Sequence, residues 1–584
     1  MHPCNRRSLR WVSTFKTNVR STATAYKDFT QVVQLHCYLP QNYTTRVRNT
    51  LEQATTSTIA CEAGTMPRVA HAQDLMDQFH QFTSSSYLFF LITVSASFYL
   101  VCRAAYLLLF HPLAKFPGPK LAALTSWYEA YYDVTGGRFP DALTELHLIY
   151  GPIIRVRADQ LHIKDAEFYG ELYVSGAKRR TSTLAIDHTG LGVADSIPNT
   201  ANHELHHMRR KPVESFFSRQ SVTRMETRVH AEARRMDEKL QRFKGSNVII
   251  SLDHMFSCMT RDLVTQFACG ENPHLLDEPD FNPGWHNTLR GLMSMIPYLR
   301  NMTWIIKLLK MVPTSILKAF NPNAADLQIF HSISEGRIEK IRSQLAKGNV
   351  TSDDEECSAF HHVLCSDLPE TEKTTDRLNR EAFALLSAGA TTTAGNCTFV
   401  TYFVLKQPQV EIRLREELRE ATQGFPDRVP RWAELEKLSY LTACIKEGLR
   451  LTRFFHRNIR LSPDQALQYK QWTIPKNTPV GMSVGHMHLD PDVYPQPYEY
   501  IPERWLGKYD SRMSRNYVPF LRGSRSCLGS NLAYAQLYIY LAVLFRPGAH
   551  KMSIECDDSD IVLVCDGELG MAKHDSKGLR VRFH

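Results

Sequence analysis

Phe520-Leu521-Arg522-Gly523-Ser524-Arg525-Ser526-Cys527-Leu528-Gly529 is the stretch that decides the fold. One cysteine stands between two glycines, with arginines before it and an apolar, helix-compatible run, Leu532 to Phe545, directly after it. A thiolate at Cys527 needs positive or hydrogen-bonding surroundings to stay ionised. Arg525, Ser526 and the backbone N–H groups of the loop offer them. Gly523 and Gly529 permit tight turns and a close approach of the backbone to a flat ligand. The helix that follows brings its positive N-terminal end toward the sulfur. Taken alone, such a loop is equally a buried free cysteine in a glycine turn, so its meaning depends on the rest of the chain.

The loop resembles the haem-binding loop of the cytochromes P-450, Phe-x-x-Gly-x-Arg-x-Cys-x-Gly. Phe520, Gly523, Arg525, Cys527 and Gly529 fill every fixed position. The resemblance implies a mainly α fold with small β-sheets, the cytochrome P-450 fold. It implies haem b (iron protoporphyrin IX) as cofactor, with Cys527 as the axial thiolate ligand that pushes electron density onto the iron.

Composition fits that reading. The chain has 584 residues, 43% of them hydrophobic, enough for one large helical domain with an anchor or for several domains. The formal charge of +9 is either a generally basic surface or a face for an acidic partner or an anionic membrane. No arginine-rich helix or aromatic-spaced basic run is present, so nucleic acid is not expected as a partner. The 13 cysteines are scattered and odd in number, without CxxC pairs or zinc-type spacing. That fits a reduced, cytosolic face rather than a disulfide framework.

Residues 1–65 are rich in Ser, Thr and Arg, and their first acid is Asp28. This composition resembles a transit peptide, a disordered tail or an upstream extension. Residues 1–80 are therefore expected to be a tail or an extension rather than a domain. Ser86 to Cys102 carries no charge, and the apolar character resumes after Arg103 and runs to Phe110. Residues 86–110 are long enough for one transmembrane helix. Arg103, Lys115 and Lys120 follow the uncharged run from Ser86 to Cys102, and Asp74 and Asp77 precede it, which places the C-terminal side in the cytosol. A proline-rich hinge, 111–120, then stops the helix and resembles the hinge of microsomal members of the family. A catalytic domain over 121–584 is expected, on a single-pass protein of the endoplasmic reticulum membrane.

Helices are expected at Trp127 to Tyr132 and Phe139 to Tyr150, and strands at Ile153 to Arg157 and Leu161 to Ile163. The texture of this region is closest to fungal secondary-metabolism members of the family such as trichodiene oxygenase. Leu292 to Leu317 reads as a core helix or as a membrane-dipping lid. The C-terminal residues, Ile561 to Phe583, read as closing strands.

Further motifs stand in the order the family requires. Leu205 to Phe217 is a basic helix. In the family's Trp-x-x-x-Arg pattern Arg210 takes the arginine place and His206 replaces the tryptophan. By the resemblance His206, Arg210, Arg460 and Arg525 hold the haem propionates, which need charge-assisted donors. Glu381 to Phe403 is a long helix with Ala388-Gly389 at its centre. A glycine there costs about 1 kcal/mol, and close approach to a flat cofactor is one reason to have it. Threonine hydroxyls that bond back to i−4 carbonyls open such a helix locally. The segment resembles the family's oxygen-binding helix, with Ala388 beside the pocket and Thr392 as the proton-relay alcohol. Thr391 stands where the family usually has an acid, so protons are expected to travel through Thr391, Thr392 and water.

Glu447 and Arg450 face the same way on a helix at i, i+3. The resemblance adds Arg504 of Pro502-Glu503-Arg504-Trp505 and makes the three a buried structural triad. Phe454 and Phe455 are candidates for the substrate-pocket wall. The activity implied is insertion of one oxygen atom from O2 into a C–H or C=C bond of a lipophilic secondary-metabolite intermediate. Neither a flavin region nor a Gly-x-Gly-x-x-Gly after a strand is visible, so the electrons are expected from a separate NADPH-cytochrome reductase, with this chain monomeric. Two rival classes are a haem-thiolate isomerase or dehydratase acting without O2, and a non-catalytic haem- or lipid-binding membrane protein.

Overall fold

The computed structural model describes residues 68–184, 193, 195–302, 323–347, 357–452, 458–562, 565–566, 570–573 and 575–584. Phe454, Phe455, residues 1–67 and most of the 292–317 stretch lie outside them. The chain divides into two units, one ending at Phe98 and the other beginning at Tyr99.

Helix α1 (Arg68–Ala105) continues as a π-turn, Tyr106–Phe110. Within it Tyr87–Phe110 is long and apolar enough to cross a membrane, with mean hydropathy 1.8. Large side chains such as Phe89, Phe98 and Leu109 are exposed along it, as lipid-facing residues are. The expected span, 86–110, coincides with this segment.

The expected hinge is a clasp. Leu113 and Phe116 are buried, and Phe116 stacks on Trp472 with ring centroids 4.9 Å apart. The Arg155 backbone N–H donates to the Pro117 carbonyl at 2.6 Å, and its guanidinium donates to the Leu107 carbonyl at 2.8 Å. Gly118 has φ +151°, and a Cβ there would sit 2.5 Å from the Arg155 oxygen, so a side chain cannot fit.

Helix α2 (Phe139–Tyr150) leads into β1 (Ile153–Arg155) and β2 (Leu161–Ile163). Helix α3 (His203–Glu214) is capped by Asn202, whose side chain accepts from the Leu205 N–H at 3.0 Å. Then come α4 (Glu226–Gln241), β3 (Ile249–Ser251), α5 (Leu252–Cys269) and α6 (Pro283–Asn301). Gly270, left-handed at φ +84°, ends α5. The long α7 (Thr375–Lys406) is followed by α8 (Pro408–Ala421) and α9 (Ser439–Leu451). Four short strands, β4 (Asn458–Arg460), β5 (Leu467–Tyr469), β6 (Trp472–Ile474) and β7 (Val480–Met482), precede α10 (Val484–His488). The chain closes with α11 (Ser530–Phe545), β8 (Met552–Ile554), β9 (Cys565–Asp566), β10 (Gly570–Met571) and β11 (Arg580–Phe583).

The largest described sheet runs β1-β2-β7-β4, with β2 and β7 parallel and the other pairs antiparallel. In its register His162 lies opposite Ile154 on one side and Gly481 on the other. Strand β11 pairs with both β3 and β8, so the C-terminus is tied to the head of α5.

Helix α11 is apolar all round, and Leu537 and Ile539 to Phe545 are fully buried. Such a helix belongs in a core. It packs among α4, α7, α8 and α9. At 16 residues it is about 24 Å long, too short to span a bilayer. The Cys527 loop sits at the head of this core helix.

Candidate active site

Gly529 is the N-cap of α11, and Cys527 stands two residues before it. The loop is a tight turn held by backbone bonds. The Cys527 N–H donates to Phe520 O at 2.9 Å and the Ser526 N–H to Gly523 O at 3.0 Å. Leu521 is left-handed at φ +59° and Gly523 at +81°. A Cβ on Gly523 would lie 2.5 Å from Val174 O, and the next N–H, Ser524, donates to that oxygen at 3.0 Å. The backbone of residues 173–174 crosses Gly523, which by itself requires a glycine there. A Cβ on Gly529 would meet no described protein atom within 4 Å. Phe520 packs on Tyr534 of α11 at 4.9 Å between centroids.

The Cys527 side chain is open to a solvent-sized probe, whereas Cys258, Cys269, Cys357, Cys397 and Cys444 are buried. Protein atoms nevertheless surround the sulfur densely, and this desolvation pushes its thiol up. The Gly529 N–H and the Arg210 charge act the other way. A group that is both accessible and enclosed faces an internal space.

Four basic side chains expected to act together do converge. Arg210, Arg460 and Arg525 each act on His206, and with burial they lower it to about 3. His206 is thus a neutral imidazole, able to donate through its one N–H. Arg525 is lowered to about 10 by burial and by the charges of Arg460 and Arg210. Its terminal nitrogens donate to Thr200 O (2.7 Å) and Ala201 O (2.8 Å), while Nε is buried with no partner among the described residues. Arg210 donates to Ser526 O at 2.7 Å and to Glu214 at 3.3 Å. It therefore braces the cysteine loop itself. Arg460 is 7% exposed and lies over the Tyr173 ring at 5.3 Å. Among the described residues no carboxylate pairs with Arg460 or Arg525.

A buried cation without a counter-charge is costly. Arg460 and Arg525, in mutual repulsion and with the charge of Arg210 added, fit a dianionic ligand such as the two propionates of haem, and the accessible Cys527 thiol fits its iron. These residues suit that group.

Glu447, Arg450 and Arg504 are brought together as well. The Arg450 guanidinium grips both Glu447 oxygens, at 2.8 and 2.9 Å, with both residues fully buried. Arg504 Nε donates to Glu447 Oε1 at 2.9 Å. Two partners escape the sequence reading. The Trp505 indole N–H donates to Glu447 Oε2 at 2.8 Å. His488 Nδ1 lies 3.1 Å from Arg450 O, while its Nε2 accepts from the Val518 N–H at 2.9 Å. Burial lowers His488 to about 3, which keeps it in the neutral donor–acceptor form both bonds require. The network therefore runs from α9 to the strand of chain that enters the cysteine loop. A histidine two places before Asp490-Pro491 is the signal that could have found it.

On α7, Ala388 is exposed to solvent-sized space and Thr392 back-bonds to its carbonyl at 2.8 Å. Asn396 donates to Thr392 O at 2.8 Å and accepts from Thr452 at 2.9 Å. The Thr391 hydroxyl is buried and has no hydrogen-bond partner among the described residues. It opens on a cavity of about 170 Å³ shared with Leu289 and Met293 of α6 and with Ile561. Gly389 has a packing reason. A Cβ there would lie 2.7 Å from the Val264 side chain of α5, and Thr260 of the same helix donates to Ala390 O at 2.8 Å. The glycine lets α5 and α7 touch, a packing reason beside the expected approach to a cofactor.

A mainly helical fold with a cysteine loop at the head of its core helix defines the haem-thiolate class. A family model described as cytochrome P450 matches residues 118–557, and the chain belongs to that family. The chain is 41% identical over 504 residues to cytochrome P450 monooxygenase sdnH of Sordaria araneosa, covering 82% of this chain and 92% of that one. It is 41% identical over 490 residues to fusicoccadiene C-8 hydroxylase of Phomopsis amygdali, covering 82% and 93%. It is 38% identical over 510 residues to stellatic acid synthase of Emericella variicolor, covering 83% and 92%. Family membership brings a haem-thiolate cofactor and the activity of an oxygen-incorporating oxidoreductase.

Proposed function

We propose that this chain is a membrane-anchored monooxygenase that hydroxylates or epoxidises a lipophilic terpenoid intermediate of secondary metabolism. The observation that carries this reading is the accessible Cys527 thiol at the head of α11, in a chain where no described carboxylate neutralises the enclosed Arg460 and Arg525. Haem b would supply the activation of O2 and the transfer of one oxygen atom. Cys527 would be its ligand, and His206, Arg210, Arg460 and Arg525 would hold its propionates. Arg210 orients the loop through Ser526 O. Phe520, Gly523 and Gly529 shape the turn.

Thr392 holds a proton at its hydroxyl, anchored on Ala388 O, and Thr391 offers a second hydroxyl to the cavity. Thr391 replaces the usual acid, so the proton route runs through hydroxyls and water. Leu289, Met293 and Ile561 give the cavity beside Thr391 an apolar wall, and Asp253, His286, Arg290 and Asp560 line it as well. The relatives whose names specify fusicoccadiene and stellatic acid support a terpenoid substrate.

The proposed organisation is a tail over 1–80, an anchor over 86–110, a clasp over 111–120 and a catalytic domain over 121–584. The apolar Tyr87–Phe110 helix followed by Lys115 and Lys120 supports a single-pass endoplasmic reticulum protein with a cytosolic catalytic face. Electrons come from a separate NADPH-cytochrome reductase, and the +9 charge suits an acidic partner.

The test is the optical spectrum of the reduced, carbon monoxide-bound protein, wild type beside Cys527→Ala. A strongly red-shifted Soret band that disappears in the variant is expected. Its absence from haem-loaded wild type would overturn the ligand assignment.

A further inference from the structure

Away from the cysteine loop, three histidines far apart in sequence meet in space. His147 closes α2, His162 lies in β2 and His486 in α10. Their ring centroids stand 5.0 Å (147–162), 5.5 Å (147–486) and 5.5 Å (162–486) apart, close to an equilateral triangle. One ring nitrogen from each lies within 4.8 Å of the other two. His147 and His162 are buried, and His486 is half-buried. The scaffold is independent of the rings. The β1–β2 and β2–β7 registers fix His162 opposite Ile154 and Gly481.

The hydrogen bonds around the triangle point the same way. His147 Nδ1–H donates to Gly151 O at 2.8 Å, which leaves Nε2 as the lone-pair nitrogen. That nitrogen faces inward, 2.7 Å from His162 Nδ1. His486 Nε2 lies 2.9 Å from the hydroxyl of Thr144, one turn before His147 on α2. Outer bonds of this kind, ring nitrogen to backbone carbonyl, orient imidazoles around metals. Burial, and then the charge of Lys164, lowers His147 to about 4, so its lone pair is available at neutral pH. Metal binding requires the neutral imidazole.

We propose that His147, His162 and His486 form a binding site for one zinc-type divalent cation, with water in the fourth position. A three-imidazole set suits zinc in chemistry and in number. Metal–nitrogen bonds of about 2.0–2.1 Å require the three nitrogens to draw closer, which rotation of the half-buried His486 ring provides. His162 ligates through Nδ1 as its proton moves to Nε2, and the His147–His162 hydrogen bond is exchanged for two bonds to the cation. The cation ties α2, the four-stranded sheet and α10 together. Helix α10 ends at His488, the residue that links Arg450 to the cysteine loop, so the site braces the scaffold of the loop from a distance.

The test uses the full haem-loaded chain, stripped with a chelator and then dialysed against Zn²⁺. Wild type is expected to retain one zinc per chain, with three imidazole nitrogens at about 2.0–2.1 Å by zinc-edge X-ray absorption, to which haem iron does not contribute. Its thermal midpoint rises with zinc. His162→Ala and the milder His486→Gln lose that zinc and that rise while keeping the carbon monoxide spectrum. Zinc that is not retained by wild type, is held by sulfur, or is held equally by both variants would overturn the proposal.

Discussion

Set the Glu447 network beside the face of α7. In the network Glu447 receives Arg450, Arg504, the Trp505 indole and the Ile501 N–H at 3.1 Å. Arg450 gives its remaining protons to three carbonyls, His488 O, Pro497 O and Glu499 O. Every strong polar group there is matched inside the protein. On α7 the Thr391 hydroxyl is unmatched among the described residues, and across the site so are the Arg525 Nε and the charge of Arg460. A polar group satisfied within the chain serves the fold. One buried and left unsatisfied stores a cost that a ligand can relieve. The difference separates scaffold from site without reference to any bound molecule.

The largest effect expected is on the scaffold side. Glu447→Ala leaves two buried arginines without a counter-charge and costs about 3–5 kcal/mol. Chemical denaturation, or failure to recover haem-loaded protein, measures it. A loss below about 1 kcal/mol would put the network in the class of surface pairs and break the comparison.

Gly389 comes next. Gly389→Ala drives a Cβ into Val264 and costs about 1–3 kcal/mol. If helix packing is the reason for the glycine, Val264→Ala in the same chain returns most of the loss in a double-mutant cycle. Full additivity, with haem loading impaired, would return Gly389 to the cofactor.

The buried histidine adds a pH dependence. His488 is held at about 3 in the folded chain against an ordinary 6.5, by burial and then by the Arg450 charge. The unfolded chain binds the extra proton first, so this contribution is complete above pH 6.5 and is lost as pH falls toward 3. The slope is up to about 1.4 kcal/mol per pH unit. Denaturation curves through this window should be shallower in pH for His488→Gln than for wild type. His286 and His147, both lowered to about 4, add slopes of the same sign.

The smallest effect on stability belongs to Thr392→Ala, within about 1 kcal/mol, because its hydroxyl bonds only a helix carbonyl. Product formed per NADPH consumed should nevertheless fall, and fall further in Thr391→Ala/Thr392→Ala. A variant that loses stability but keeps its coupling would move Thr392 to the scaffold side and blur the distinction.

Much of this was legible in the chain. Residues 139–150 form the expected helix, residues 161–163 the expected strand, and Leu532 to Phe545 lie in a helix. Expected helix ends elsewhere shift: the basic helix read over Leu205 to Phe217 runs His203–Glu214. The helix read from Glu381 begins at Thr375, because the Thr374 cap lies beyond the apolar stretch. Strands β5 and β8 lie outside the expected strands. The cationic cluster is legible residue by residue, while the bond from Arg210 to Ser526 O, which ties it to the cysteine loop, is a contact that no spacing encodes.

The sequence by itself determined the cysteine loop, the order of the motifs, the apolar segment ahead of the fold and the Glu447–Arg450 pair. These are local patterns, set by neighbours within one turn or one loop, and the chain carries them wherever it goes. Only the tertiary structure decided why Gly389 and Gly523 are glycines, that His488 joins the network, and that His147, His162 and His486 form one cluster. Each of those depends on which segments lie side by side. Sheet register and helix packing bring residues 15 to 342 positions apart within hydrogen-bond reach, and no period in the chain announces such a meeting.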